Sequence, residues 1–242
     1  MNSKKFLIAF DADDTLWVNE AFYNEAEQKL ESLVGPYLKT SLLKEQLYEM
    51  ETRNLSIFGY GVKGFILSMI ETAIEITSEQ IKGSEIQQII DVGKDMLTQP
   101  IKLLLEVQET ILHLENEYDL MIITKGDLFD QESKIARSGI ADHFRFIEIV
   151  SEKNEEVYLN ILKKNEIDSN RFMMVGNSLK SDILPVVNIG AHAVHIPADT
   201  TWQHEQISDF EKAKMQYHEL TSMGQLPALL DQVFRNNQNR EK

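Results

Sequence analysis

Phe6-Leu7-Ile8-Ala9-Phe10-Asp11-Ala12-Asp13-Asp14-Thr15-Leu16 is an apolar run that ends abruptly in three acids. Consecutive apolar residues of this length read as a strand buried on both faces, as in a parallel sheet. Acids at its carboxyl end lie where an open α/β sheet binds ligands. Carboxylates crowded together are costly without a counter-charge, and a cation is their natural partner. An aspartate after a strand often caps the next helix, and that reading suits Asp14. Asp11 and Asp13 are read as functional, because later strand ends supply the rest of one site.

Beyond this stretch the chain divides by pattern. From residue 17 to 99, apolar residues recur at helical spacing over Glu20–Val34, Leu42–Leu55, Lys63–Ile76 and Ser84–Met96. Gly35-Pro36, Gly59-Tyr60-Gly61 and Ile81-Lys82-Gly83-Ser84 punctuate them. After Pro100, strands and helices alternate: helix Lys102–Glu117, strand Asp119–Thr124, helix Gln131–Ser138, strand Phe146–Val150, helix Glu155–Asn165 and strand Arg171–Val175. Helix Ser181–Ile189, strand Ala191–Ile196, an edge strand at Gln216–Leu220 and a closing helix Leu226–Phe234 follow. Such alternation implies an α/β fold with a doubly wound parallel sheet. We expect a core domain of residues 1–16 and 100–242, with an all-helical cap domain, residues 17–99, inserted after the first strand.

Composition narrows the function classes. The chain has 242 residues, 43% of them hydrophobic, enough for one large domain or a domain with an insertion. Thirty-nine acids against 24 bases give a net charge of −15, which argues against nucleic acid and anionic membranes as partners. Cysteine is absent, so disulfides and thiolate chemistry are excluded, and a reducing, cytoplasmic location fits. Lys4 and Lys5 before the first apolar run superficially resemble a secretion signal, but that run is short and ends in acids. No stretch approaches the roughly 18 apolar residues of a membrane span. We expect a monomer or homodimer.

Four strand ends carry chemistry. The first gives Asp11 and Asp13; Thr124-Lys125-Gly126 closes the second; Ser151-Glu152-Lys153 follows the third; Gly176-Asn177-Ser178-Leu179-Lys180-Ser181-Asp182 closes the fourth. A carboxylate pair, a hydroxyl, a lysine and a further carboxylate form a kit for phosphoryl transfer, which needs a nucleophile, donors for the phosphoryl oxygens, a divalent cation and a proton shuttle. Each has a bland reading: Thr124 as a cap, Lys153 as surface charge, Asp182 as a helix cap. The bland readings do not account for four such groups at four strand ends.

This pattern resembles the haloacid dehalogenase superfamily. Asp11-Ala12-Asp13-Asp14-Thr15 fits its first motif, Thr124 its second, Lys153 its third, and Gly176-Asn177-Ser178 with Asp182 its fourth. The helical insertion falls where that family's first type of cap sits. The resemblance implies a phosphatase in which Asp11 attacks phosphorus and Asp13 acts as acid and then base. Thr124, Lys125, Gly126 and Lys153 would hold the phosphoryl group, and magnesium would sit among Asp11, Asp13, Asp182 and Asn177. Many members carry an acid at the position of Asn177, which leaves its division of labour with Asp182 open. Dehalogenases of the superfamily lack the second acid, so Asp13 favours a phosphatase. The expected substrate is a small phosphorylated metabolite. The alternatives are a phosphomutase and a phospho-acceptor signalling module; a lid and a built-in base weigh against the latter. A phosphonatase would recruit a cap lysine, and nothing marks Lys63 or Lys82 for that task.

Two weaker features remain. The loop Gly59–Phe65 reads either as a tight turn permitted by its glycines or as a cap loop that touches substrate, with Tyr60, Arg53 or Lys63 facing the crevice, and Tyr60 and Lys63 are the expected contacts. Trp202-Gln203-His204-Glu205, after His195, suggests a zinc or catalytic cluster, but scattered histidines are better read as structural.

Overall fold

The computed structural model describes residues 6–37, 43–198, 205, 208 and 216–235. Its centre is a six-stranded, all-parallel sheet in the order β3-β2-β1-β4-β5-β6. The strands are β1 (Leu7–Phe10), β2 (Asp119–Lys125), β3 (Phe146–Val150), β4 (Phe172–Gly176), β5 (His192–His195) and β6 (His218–Glu219). β1 lies between β2 and β4, with Phe10 level with Ile122 and Val175. Its four residues have no solvent exposure, which is why the opening run carries no polar alternation.

Successive β1 side chains serve opposite faces. Ile8 and Phe10 pack with Val107, Ile111 and Leu114 of α5 (Val107–Leu114) and with Leu226 and Leu230 of α9 (Leu226–Leu230). Leu7 and Ala9 pack with Tyr158 and Ile161 of α7 (Glu155–Lys164) and Val186 of α8 (Leu184–Asn188). Two apolar layers on either side of one parallel sheet make the doubly wound architecture.

The helical block forms α1 (Glu20–Val34), α2 (Leu43–Phe58), α3 (Val62–Ile76) and α4 (Gly83–Thr98). It has its own apolar centre, including Leu30, Leu47, Phe65, Met69 and Ile89, apart from the two sheet layers. The chain enters and leaves it side by side: Trp17 bridges Leu103 antiparallel, and Val18 N–H donates to the Lys102 carbonyl at 3.0 Å. The remaining helix, α6 (Leu128–Arg137), follows β2.

That crossing corrects one expectation. The helix anticipated from Lys102 starts only at Val107, because 102–104 pair with the entering strand and Glu106 adopts φ 63°. The helix expected over Ser181–Ile189 is instead a π-helical turn, Leu179–Ile183, running into α8. The wider turn returns the Asp182 carboxylate to the Ser178 N–H, at 3.0 Å. Only His218–Glu219 of the expected edge strand pairs with β5.

Candidate active site

Parallel strands in register bring their carboxyl ends to one edge, beneath α1–α3. A cavity of about 160 Å³ opens there, lined by Asp11, Asp13, Thr124, Lys125, Gly126, Lys153, Asn177 and Asp182 from the core and by Tyr60 from the cap. Residues drawn from four strand ends thus meet in one place.

Asp11 follows β1 directly, and its N–H continues the sheet by donating to the Val175 carbonyl at 2.9 Å. The carboxylate is 7% exposed. Lys153 Nζ donates to Oδ1 at 2.5 Å, and Thr15 Oγ1 lies 3.2 Å from Oδ2. Lys153 also donates to Asp182 Oδ1 at 2.7 Å, so one buried ammonium serves two buried carboxylates. Burial pushes the Asp11 carboxyl up to about 7; Lys153 opposes the shift and Asp182 adds to it. Burial disfavours the Lys153 charge, yet Asp11 and Asp182 hold it well above the ordinary lysine range.

Asp182 fits so tightly because residue 176 is glycine. A Cβ there would come within 2.2 Å of Asp182 Oδ2. With Oδ1 on Lys153 and Oδ2 on the Ser178 N–H, both Asp182 oxygens are engaged within the protein. Its observed contacts hold the lysine.

Asp13 is turned towards α6. Trp17 Nε1 and Lys134 Nζ donate to Oδ1 at 2.7 and 3.1 Å, while Gln131 Nε2 and Lys134 Nζ donate to Oδ2 at 2.9 and 3.1 Å. Gln131 Nε2 also donates to Thr124 Oγ1 at 3.0 Å, joining two strand ends. Asp14, at φ 58°, accepts the Asn19 and Glu20 N–H groups and so caps α1. Asp127 accepts the Asp130 N–H and caps α6.

Lys125 reaches sideways: Nζ donates to Glu205 Oε1 at 2.6 Å and Ser181 Oγ at 3.2 Å, and sits 4.1 Å from the centre of the Tyr60 ring. Tyr60 in turn donates to Glu152 Oε2 at 2.9 Å, tying cap to core. Burial opposes the Glu205 charge, but Lys125 and the hydroxyls of Ser178 and Ser181 outweigh it and hold the carboxyl down at about 2.

Two cap expectations are corrected. Lys63 does not line the cavity; it is half-exposed and pairs with Asp127 at 2.8 Å. Arg53 pairs with Glu75 on the outer face. In the sequence-suggested cluster, Trp202, Gln203 and His204 lie outside the described residues, and Glu205 faces Lys125 rather than a histidine. His195 is satisfied structurally, with Nε2 on the Asn177 carbonyl and Nδ1 on Glu219, both at 3.1 Å.

Sequence reasoning missed Gln131 and Lys134, and did not assign Thr15 a task. Asp127, Gln131 and Lys134 recur at helical spacing, a polar stripe where a helix against a sheet would be apolar, so a signal was present for two of them. The Trp202–Glu205 run pointed to a zinc or catalytic cluster and not to Glu205 as the partner of Lys125.

A divalent cation is a fair test of this geometry. Among the described residues, no group of three histidine, aspartate or glutamate side chains converges as a metal cage. Asp11 Oδ2 and Asn177 Oδ1 do face one hydroxyl, that of Thr15, at 3.2 and 3.3 Å. One hydroxyl proton cannot satisfy both, so an acceptor is left over, and an all-oxygen set suits a hard cation. The residues that fit are therefore Asp11 and Asn177.

Known proteins resemble this chain in sequence and in fold. A solved haloacid dehalogenase-like hydrolase from Xanthomonas campestris is 36% identical, covers 100% of this chain and 97% of its own, and superposes with a TM-score of 0.86. A glyceraldehyde 3-phosphate phosphatase of Methanothermobacter thermautotrophicus is 25% identical over 210 residues, covering 80% of this chain and 86% of that protein. A 2-haloacid dehalogenase from Pseudomonas syringae shares the fold at 22% identity, with a TM-score of 0.62 over 94% of this chain and 99% of its own. No helix among the described residues is long and apolar enough to cross a membrane. With the family model matching residues 7–190, the chain belongs to the haloacid dehalogenase-like hydrolases.

Proposed function

We propose that the protein is a magnesium-dependent phosphatase that hydrolyses a small phosphomonoester through an aspartyl-phosphate on Asp11. The observation that carries this reading is the pairing of Asp11, buried against Lys153, with a second carboxylate, Asp13, fixed two residues on by Lys134, Gln131 and Trp17. A dehalogenase has no leaving alcohol to protonate, so a second, held acid has a use in the phosphatase and none in the dehalogenase.

In the first step an Asp11 oxygen bonds to phosphorus as the bond to the alcohol oxygen breaks, and Asp13 gives that oxygen a proton. In the second, Asp13 takes a proton from water, whose oxygen attacks phosphorus and returns the Asp11 carboxylate with release of phosphate. Lys153 and Thr124 hold the equatorial oxygens, and Gly126 and Lys125 border the same site. Asp11 and Asn177 would hold magnesium, which when bound offsets the charge of nucleophile and phosphoryl group. The helical cap, residues 17–99, would exclude bulk water.

Phosphate release from an aryl phosphate tests the reading. Asp11→Asn should keep the circular dichroism of the parent and fall below about 1% of its turnover, since an amide is too weak a nucleophile. Excess chelator should abolish activity and magnesium restore it. Residual turnover above that level, or full activity in chelator, refutes the covalent route or the metal respectively.

A further inference from the structure

The two walls of the cavity differ in charge. The lining cations Lys125, Lys134 and Lys153 all come from the core, and each is already bonded to a carboxylate. The cap wall presents Glu20, Tyr23, Glu51, Asn54, Tyr60 and Ser68, and no described lysine, arginine or histidine. Asn54 Nδ2 donates to Ser68 Oγ at 3.1 Å, and Ser68 Oγ donates to the Gly64 carbonyl at 2.9 Å. Glu20 does not find such a partner. Its backbone N–H caps onto Asp14, but no described residue donates to its carboxylate. Burial, with the nearby charges of Asp14, Glu27 and Glu51, pushes that carboxyl up to about 8. On the core wall, Gln131 spends its amide N–H groups on Asp13, Thr124 and the Lys125 carbonyl, which leaves Oε1 buried without a donor.

Gln131 Oε1 is an acceptor, and Glu20, kept protonated at neutral pH by its surroundings, becomes a second one when an arriving cation draws off its proton. Desolvated acceptors cost free energy until a donor arrives, and neighbouring carboxylates discriminate by charge as well as by hydrogen bonding. A leaving group bearing a carboxylate or second phosphate would meet the Glu20 side chain, with no described cation of the cap lining the cavity to relieve it.

We propose that the alcohol half of the substrate carries a protonated amine, as in an amino alcohol or amino sugar phosphate, read by Glu20 and Glu51 on the cap wall. This rests on the phosphatase reading above. The phosphoryl group is held from the core, so the ammonium at the far end of the ester faces α1 and α2.

The test is kcat/KM, with magnesium present, for phosphoethanolamine, ethylene glycol monophosphate and phosphoglycolate, repeated with the phosphates of glucosamine, glucose and gluconate. p-Nitrophenyl phosphate serves as the measure of the chemistry itself. The amine member should exceed the neutral one by about ten-fold or more, with the carboxylate slowest, in at least one series. Glu20→Gln should bring the amine-to-neutral ratio to within about two-fold of one. If neutral or carboxylate members match the amine in both series, or the preference survives Glu20→Gln, the charge assignment is wrong while aryl hydrolysis keeps the phosphatase reading intact. If no phosphate is released from any ester, the phosphatase reading falls and this inference with it.

Discussion

Replacing Lys153 by methionine tests the centre of the site most directly, because one ammonium stands between two buried carboxylates. Its side chain is 2% exposed, and Nζ lies 2.5 Å from Asp11 Oδ1 and 2.7 Å from Asp182 Oδ1. The two oxygens are therefore no more than about 5 Å apart, where like charges repel by about 3 kcal/mol at an effective dielectric constant of about 20. Methionine fills a similar volume but leaves that repulsion uncompensated, so metal-free Lys153→Met should lose about 3 kcal/mol of stability. The sign with pH follows from Asp11. Its carboxyl is raised from 3.8 to about 7, so the folded state holds a proton that the unfolded chain releases, and stability falls as pH rises across that window. Lys153 lowers this value; without it the carboxyl moves higher, and the extra loss sets in above about 7. Urea unfolding in chelator at about pH 5.5 and about pH 8.5 should show the larger cost at the higher pH. Turnover should fall by about 100-fold or more for every phosphomonoester, since the lysine meets the group that all of them share. A cost below about 1 kcal/mol at the higher pH, or one equal at both, would refute the shared-counterion account.

Two further substitutions separate orientation from closure. Lys134→Met removes the cation from Asp13 and should lower kcat/KM for alkyl phosphates by about 10-fold to 100-fold. Aryl phosphates, whose leaving group needs no proton, should lose much less; an equal loss means Lys134 does not act through Asp13. Tyr60→Phe keeps the ring over Lys125 but deletes the hydroxyl on Glu152, and should raise KM by about three-fold with little change in kcat. Lys63→Ala, which breaks a half-exposed pair with Asp127 and a cation–π contact with Phe129, should stay within about two-fold of the parent in both constants. A larger effect from Lys63 than from Tyr60 would contradict the observed cap contacts.

The strand core and its four chemical corners were legible in the sequence because both are short-range properties. A parallel strand buried on both faces must be continuously apolar, and Leu7–Phe10, Leu120–Ile123 and Phe172–Val175 say so without reference to anything distant. Groups placed just beyond such strands converge once the strands are parallel and in register, so Asp11, Thr124, Lys153 and Asn177 could be gathered from order alone. The helical insertion was equally readable from its period, although its exit was not. Whether residues 102–106 continue a helix depends on Trp17 arriving from the other side of the insertion to pair with Leu103.

Which group touches which was decided by tertiary structure. Nothing along the chain says where the Asp182 side chain turns, but Gly176 lets its carboxylate fold back under the strand end onto Ser178 and Lys153. Asp13 and Asp11 are near neighbours in sequence with different company, one held by α6 and the other by the lysine after β3. Lys63 and Tyr60 flank one turn, yet only Tyr60 reaches the cavity, because the turn's geometry sends the lysine out to Asp127. Glu205 joins the site through Lys125, 80 positions away in the chain. Periodicity reports how much of a residue is buried, whereas a hydrogen-bond partner is chosen by the meeting of side chains far apart in sequence, and that meeting exists only after the chain has folded.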